Sequence, residues 1–120
     1  MSTSTPGDLV ELRDAMRDFA AAREWERFHT PKNLAAALSV EAAELLEHFQ
    51  WLTEQESQQL DEARRTAVAH ELADVLLYLV RLADRLDVDL LEAARRKLAL
   101  NAAKYPVEKS RGSSRKYTEL

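Results

Sequence analysis

Residues 71–86, ELADVLLYLVRLADRL, decide how this chain folds. No glycine or proline interrupts them, and with the residues just upstream they predict a helix from about Asp61 to Leu86. At 100° per residue, Val68, Leu72, Val75, Leu76, Leu79, Ala83 and Leu86 cover one broad side, and Leu77 and Leu82 spill beyond it. One small bundle does not need so wide an apolar surface, so contacts between subunits are expected. The face opposite the main leucine side is acidic. Glu71 and Asp74 stand three residues apart, hence on one face, with Tyr78 a turn further along.

Three more helices are predicted around this one. The first runs roughly from Pro6 to Arg23, with Thr5-Pro6 as cap and first-turn proline and Leu9, Leu12, Met16 and Phe19 at 3–4–3 spacing. EWERFH (24–29) breaks that pattern. Thr30-Pro31 opens a second helix, from Pro31 to about Trp51, and TEQESQQLDEA (53–63) reads as a polar surface connection. DVD (87–89) caps a last helix from about Asp89 to Lys104, stopped by Pro106. Residues 107–120 form a polar tail with four basic residues, expected to be mobile. The expected organisation is one all-α domain over residues 1–106, a four-to-five-helix bundle assembling into a homo-oligomer, followed by the tail.

Composition agrees. Two glycines and three prolines in 120 residues are too few for a loop-rich β protein, and 46% hydrophobic with 32% charged residues is globular. The absence of cysteine excludes disulfides, zinc-thiolate sites and thiol catalysis. The longest apolar run, VLLYLV, is far short of a membrane span, and MSTSTPGDL has no secretory pattern, so no membrane partner and a cytoplasmic setting are expected. A net charge of −4 argues against a nucleic acid polymer as partner. It leaves room for a small phosphorylated ligand bound with metal ions.

Glu41 poses the chemical question. In VEAAELLEHFQW (40–51) it falls on the same side as Leu34, Leu38, Leu45 and Leu52, where an unpartnered carboxylate costs several kcal/mol. Glu41 and Glu44 on this helix, and Glu71 and Asp74 on the next, form two i, i+3 pairs that converge if the helices pack antiparallel. Four carboxylates in a small volume need protons or hard cations, and Mg²⁺ is the common oxygen-only cation of phosphate chemistry. Either pair alone reads as a solvated helix face. Two pairs, one of them on an apolar side, favour a site. A ferritin-like di-iron centre would need Glu-x-x-His, and His48 and His70 stand at the wrong offsets.

Lys97, Asn101 and Lys104 form an i, i+4, i+7 stripe suited to phosphate oxygens, although a surface stripe of lysines has the same spacing. Trp25, Phe28 and His29 cluster after the first helix, and Phe49 and Trp51 close the second. Aromatic planes of this kind can sandwich a nucleobase. Phe19 and Phe49 are expected in the core, and Trp25 and Trp51 at a pocket rim.

REWERFHTPKNLAAAL, EAAELLEHFQW, ELADVLLYLVRLA, VDL, NAAKYP and SRGSSRKYTEL, in this order, resemble the all-α nucleoside triphosphate pyrophosphohydrolases of the MazG-like kind, with dCTP pyrophosphatases the closest likeness. The resemblance implies cleavage of the α–β phosphoanhydride of a nucleoside triphosphate, giving the monophosphate and pyrophosphate. It implies Mg²⁺ at the positions of Glu41, Glu44, Glu71 and Asp74, which form the metal and catalytic set. A nucleoside pocket follows at Trp25, Trp51 and Tyr78, with His29 beside them, and phosphate or sugar contacts at Lys97 and Asn101. It implies a homotetramer with sites at subunit interfaces. One departure concerns Met16, where close relatives often carry a histidine that contacts cytosine. A methionine cannot hydrogen-bond a base edge in that way. A broader house-cleaning pyrophosphatase acting on non-cytosine or damaged nucleotides is therefore the alternative within enzymes, and a non-catalytic helical assembly module is the alternative outside them.

Overall fold

Side-chain caps set where the helices begin. In the computed structural model, which describes residues 5–120, they start α1 (Leu9–Ala22), α2 (Pro31–Glu47), α3 (Glu54–Ser57), α4 (Glu62–Arg85) and α5 (Leu90–Lys104), while α6 (Val107–Ser110) follows Pro106 without one. The first four residues of the stretch searched for a targeting signal lie outside the described residues. Short 3-10 turns occur at Glu26–Phe28 and Tyr117–Glu119. The all-α expectation holds: four long helices and two single turns. Among the described residues no helix is long and apolar enough to cross a membrane. Two compact units result, the first ending at Val88 and the second running Asp89–Leu120, whereas the sequence suggested a division at Pro106.

Two boundaries differ from expectation for local reasons. α1 starts at Leu9 and not Pro6, because Asp8 is its cap: Asp8 Oδ1 accepts from the Glu11 N–H at 2.8 Å, and Glu11 Oε2 accepts from the Gly7 N–H at 2.6 Å. α2 stops at Glu47, and tight turns follow, with Phe49 N–H to Leu46 O at 2.8 Å and Leu52 N–H to Phe49 O at 2.9 Å. Trp51 therefore lies beyond the helix. The polar connection contains α3, started by a capping box between Thr53 and Glu56.

α1 and α4 end alike. The Trp25 N–H bonds Ala20 O at 2.9 Å and the Glu24 N–H bonds Ala21 O at 3.1 Å; Val88 to Ala83 (2.8 Å) and Asp87 to Asp84 (3.0 Å) repeat the pattern. Both are Schellman closures, whose turning residue adopts a left-handed backbone usually left to glycine. Here Glu24 (φ 52°) and Asp87 (φ 56°) take that place.

Within the first unit the main packing is α2 on α4, followed by α1 on α4. α2 and α4 run antiparallel: Arg64 at the start of α4 donates to His48 O at 3.3 Å, and Arg85 at its end donates to His29 O at 3.1 Å. Arg17 of α1 pairs with Asp84. Ala20, Leu34, Val68, Val80 and Ala83 form the buried core. The leucine side of α4 contributes only Val68 and Ala83 to that core. Leu72, Leu76, Leu79 and Leu86 remain 53%, 40%, 36% and 54% exposed, because α1 and α2 cover the neighbouring sides of the helix. Phe19, expected inside, is also exposed and packs edge-on to Trp25, with the Arg23 guanidinium over its ring at 3.5 Å.

In the second unit, Asp89 caps α5 through the Glu92 N–H at 3.0 Å. The polar tail carries α6 and a closing 3-10 turn, and Tyr117 stands edge-on to Tyr105 at 6.0 Å with Lys104 Nζ 4.9 Å from its ring centre.

Candidate active site

The antiparallel α2–α4 pair brings acids from both helices together. Glu41 and Glu44, one turn apart on α2, and Glu71 on α4 each offer a carboxylate oxygen, all within 4.8 Å of one another. Glu41 Oε2 and Glu71 Oε2 are buried without any hydrogen-bond partner. Among the described residues no lysine, arginine or histidine pairs with these three acids. Such an arrangement is costly when every group is charged. The Glu41 carboxyl is accordingly pushed up from 4.5 to about 7, first by the adjoining Glu71 carboxyl, then by burial, then by Glu44.

Buried, partnerless oxygens on converging carboxylates are what a hard cation satisfies, and an all-oxygen donor set suits Mg²⁺ better than softer metals. The residues present therefore fit such an ion. Asp74 lies on α4 one turn beyond Glu71, exposed and outside the three-acid group. Tyr78, four residues on from Asp74, is half-buried.

The aromatic residues take two places. Trp25 and His29 meet edge-on at 6.1 Å between α1 and α2, with Phe19 on the far side of Trp25 at 5.7 Å. Trp51 is 87% exposed after α2. Lys97, exposed, and Asn101, half-buried, lie on α5 in the second unit.

Sequence inspection missed the groups that hold His29. Arg81 Nε donates to His29 Nδ1 at 3.1 Å, and Arg81 Nη1 reaches Asp84 Oδ2 at 3.2 Å. Burial, then the Arg81 and Arg85 charges, lower the His29 pKa. Arg17 beside Asp84 holds that carboxyl below its ordinary value. The overlooked signal was of the same kind as Glu41: an arginine between Val80 and Leu82 in the most apolar run of the chain.

Residues 36–120 match the MazG-like family. The chain is 47% identical over 121 residues to dCTP pyrophosphatase 1 of Homo sapiens, covering 99% of this chain and 71% of the relative. It is 46% identical to the Bos taurus protein of the same name, covering 99% and 72%. A crystal structure of a pyrophosphatase from Archaeoglobus fulgidus superposes with a TM-score of 0.78 at 42% identity, over 88% of this chain and 99% of that one.

Proposed function

The chain belongs to the MazG-like family, and from that premise we propose that it is a Mg²⁺-dependent nucleoside triphosphate diphosphatase that hydrolyses dCTP, and modified dCTP, to dCMP and pyrophosphate. The observation that carries this is the three-acid cluster with two buried, partnerless oxygens. The named relatives support the cytosine nucleotide as substrate. Nucleotide-pool sanitising in the cytoplasm is the role such chemistry serves.

Glu41, Glu44 and Glu71 would hold the cation, with Asp74 one turn along α4 as the fourth acidic position. A Mg²⁺ ion held there would supply positive charge against the phosphate oxygens and lower the pKa of a water. A carboxylate of the cluster, Glu41 or Glu44, takes the proton released by the attacking water. Trp25, His29, Trp51 and Tyr78 position the nucleoside, while Lys97 and Asn101 contact the phosphates or sugar. The bare leucine side of α4 supports assembly into a homotetramer, which would bring residues of several copies to each site.

Met16, half-buried on α1, favours a second reading in base preference only. Its thioether packs against an apolar face and donates no hydrogen bond, which suits a broader range of bases. The deciding experiment incubates the protein with Mg²⁺ and a panel of nucleoside triphosphates that includes 5-methyl-dCTP. Monophosphate and pyrophosphate, fastest from deoxycytidine substrates, are expected. The same products fastest from another base would establish the broader enzyme, and no turnover at all would leave a helical assembly module.

A further inference from the structure

Arg81 is a guanidinium with only 2% of its surface exposed. A charge buried that deeply is costly unless its hydrogen-bond directions are used. Its Nε is spent on His29 Nδ1 and its Nη1 on Asp84. Asp84 is in turn gripped by Arg17 from α1, through Nε at 3.1 Å and Nη2 at 2.5 Å. Arg85 holds the His29 backbone through its carbonyl. The ring and main chain of His29 are thus tied to α4, and α4 to α1 at the same point.

Guanidinium groups only donate, so Nδ1 must accept, and the single proton of the neutral ring sits on Nε2. This reverses the arrangement of a base-catalytic histidine, where a carboxylate accepts from Nδ1–H and leaves Nε2 free to take a proton. The charged groups facing His29 are Arg81 and Arg85 of α4. Asp84 of α4 and Arg17 of α1 stand behind Arg81, and the carboxylate is occupied by the two guanidiniums. No carboxylate hydrogen-bonds the ring among the described residues.

We propose that Arg81 is a positioning residue that fixes His29 as the neutral Nε2–H tautomer, so that the imidazole meets the nucleotide as a rigid hydrogen-bond donor and not as a base. The group recognised is an acceptor on base or sugar, such as a ring carbonyl oxygen. This rests on the placement of His29 among the substrate-binding residues. The lowered pKa of His29 works in the same direction, keeping the ring neutral.

The direct measurement is long-range ¹H–¹⁵N correlation NMR of the full chain, reading the two ring nitrogens of His29 across pH 5.5–8. A protonated Nε2 and bare Nδ1 are expected in the wild type; the opposite tautomer would overturn the proposal without any variant. Arg81→Lys keeps the charge, but a single ammonium drawn to Asp84 cannot also donate to Nδ1 as the fork does. It should give mixed tautomers and raise KM for the nucleotide about 10-fold, with kcat within about 3-fold. In a His29→Gln background, where no tautomer needs fixing, Arg81→Lys should add little further change in KM. An unchanged KM in Arg81→Lys despite a lost tautomer, or full additivity in the double variant, would reduce Arg81 to a packing role. Should no triphosphate be turned over, the proposed function falls, and the wild-type tautomer still decides what Arg81 does to His29.

Discussion

α4 carries two faces whose roles are opposite to first appearance. The side with Arg64, Glu71, Arg81 and Arg85 is polar, yet it is the side that meets α2. The side with Leu72, Leu76, Leu79 and Leu86 is apolar, yet these four leucines stay exposed. In a chain that buried its grease for its own sake the two would be exchanged. On the proposed function the inward polar face serves chemistry, and the exposed leucines are the surface a second copy of the chain would cover.

The difference between the faces predicts sharply different responses to substitution. On the acidic face, Glu71→Gln or Asp74→Asn should lower turnover of the preferred triphosphate by more than about 100-fold, measured under saturating Mg²⁺. Circular dichroism should remain helical, and the cation-free melting temperature of Glu71→Gln should not fall, since a repelling charge has been removed. Near-normal activity in either variant would break the assignment of this face to catalysis.

On the leucine face, Leu76→Glu should leave the fold of one chain intact, because the side chain is already exposed. Self-association should weaken by about 10-fold or more, seen as smaller species in sedimentation. An unchanged mass distribution would remove this face from the interface.

A subtler contrast is in pH. Glu41 titrates at about 7 in the folded chain against an ordinary 4.5, so between those values the native state holds a proton that the unfolded chain releases. The stability that Glu41 contributes without a cation is therefore fully present below about 4.5 and is lost as pH rises through 7. Added Mg²⁺ should raise the melting temperature more at pH 8 than at pH 5. Equal shifts at both would separate the cluster from cation binding.

The smallest effect lies away from both faces. Glu24→Gly should stabilise the chain by about 0.5–1 kcal/mol in denaturant titration, by removing the side-chain penalty of a left-handed residue.

Much of this was legible in the sequence. Thr30-Pro31 marked the start of α2, and Asp61 and Asp89 capped α4 and α5. The i, i+3 acids were visible because helical spacing is a local property. What was hidden was non-local. Hydrophobic periodicity reports that α4 has a wide apolar side, whose width suggested contacts beyond one bundle, but not which of its residues α1 and α2 cover and which stay exposed. The stops at Glu24 and Asp87 lacked glycine, and the turns after Glu47 put Trp51 outside its helix. Arg81 escaped notice because His29, the partner that gives it meaning, is 52 residues away and only the fold unites them; Asp84, at i+3, was a local neighbour.

Glu41 and Glu71 are thirty residues apart along the chain but adjacent across the α2–α4 seam. A divalent ion shared by their carboxylates is then a reversible staple that closes a thirty-residue loop. A covalent link of that span would remove about 3–4 kcal/mol of entropy from the unfolded chain. The ion acts by occupancy instead, its hold growing with the logarithm of its concentration. Proteases and chelators would thus sense the same variable as the substrate does: whether the seam is pinned.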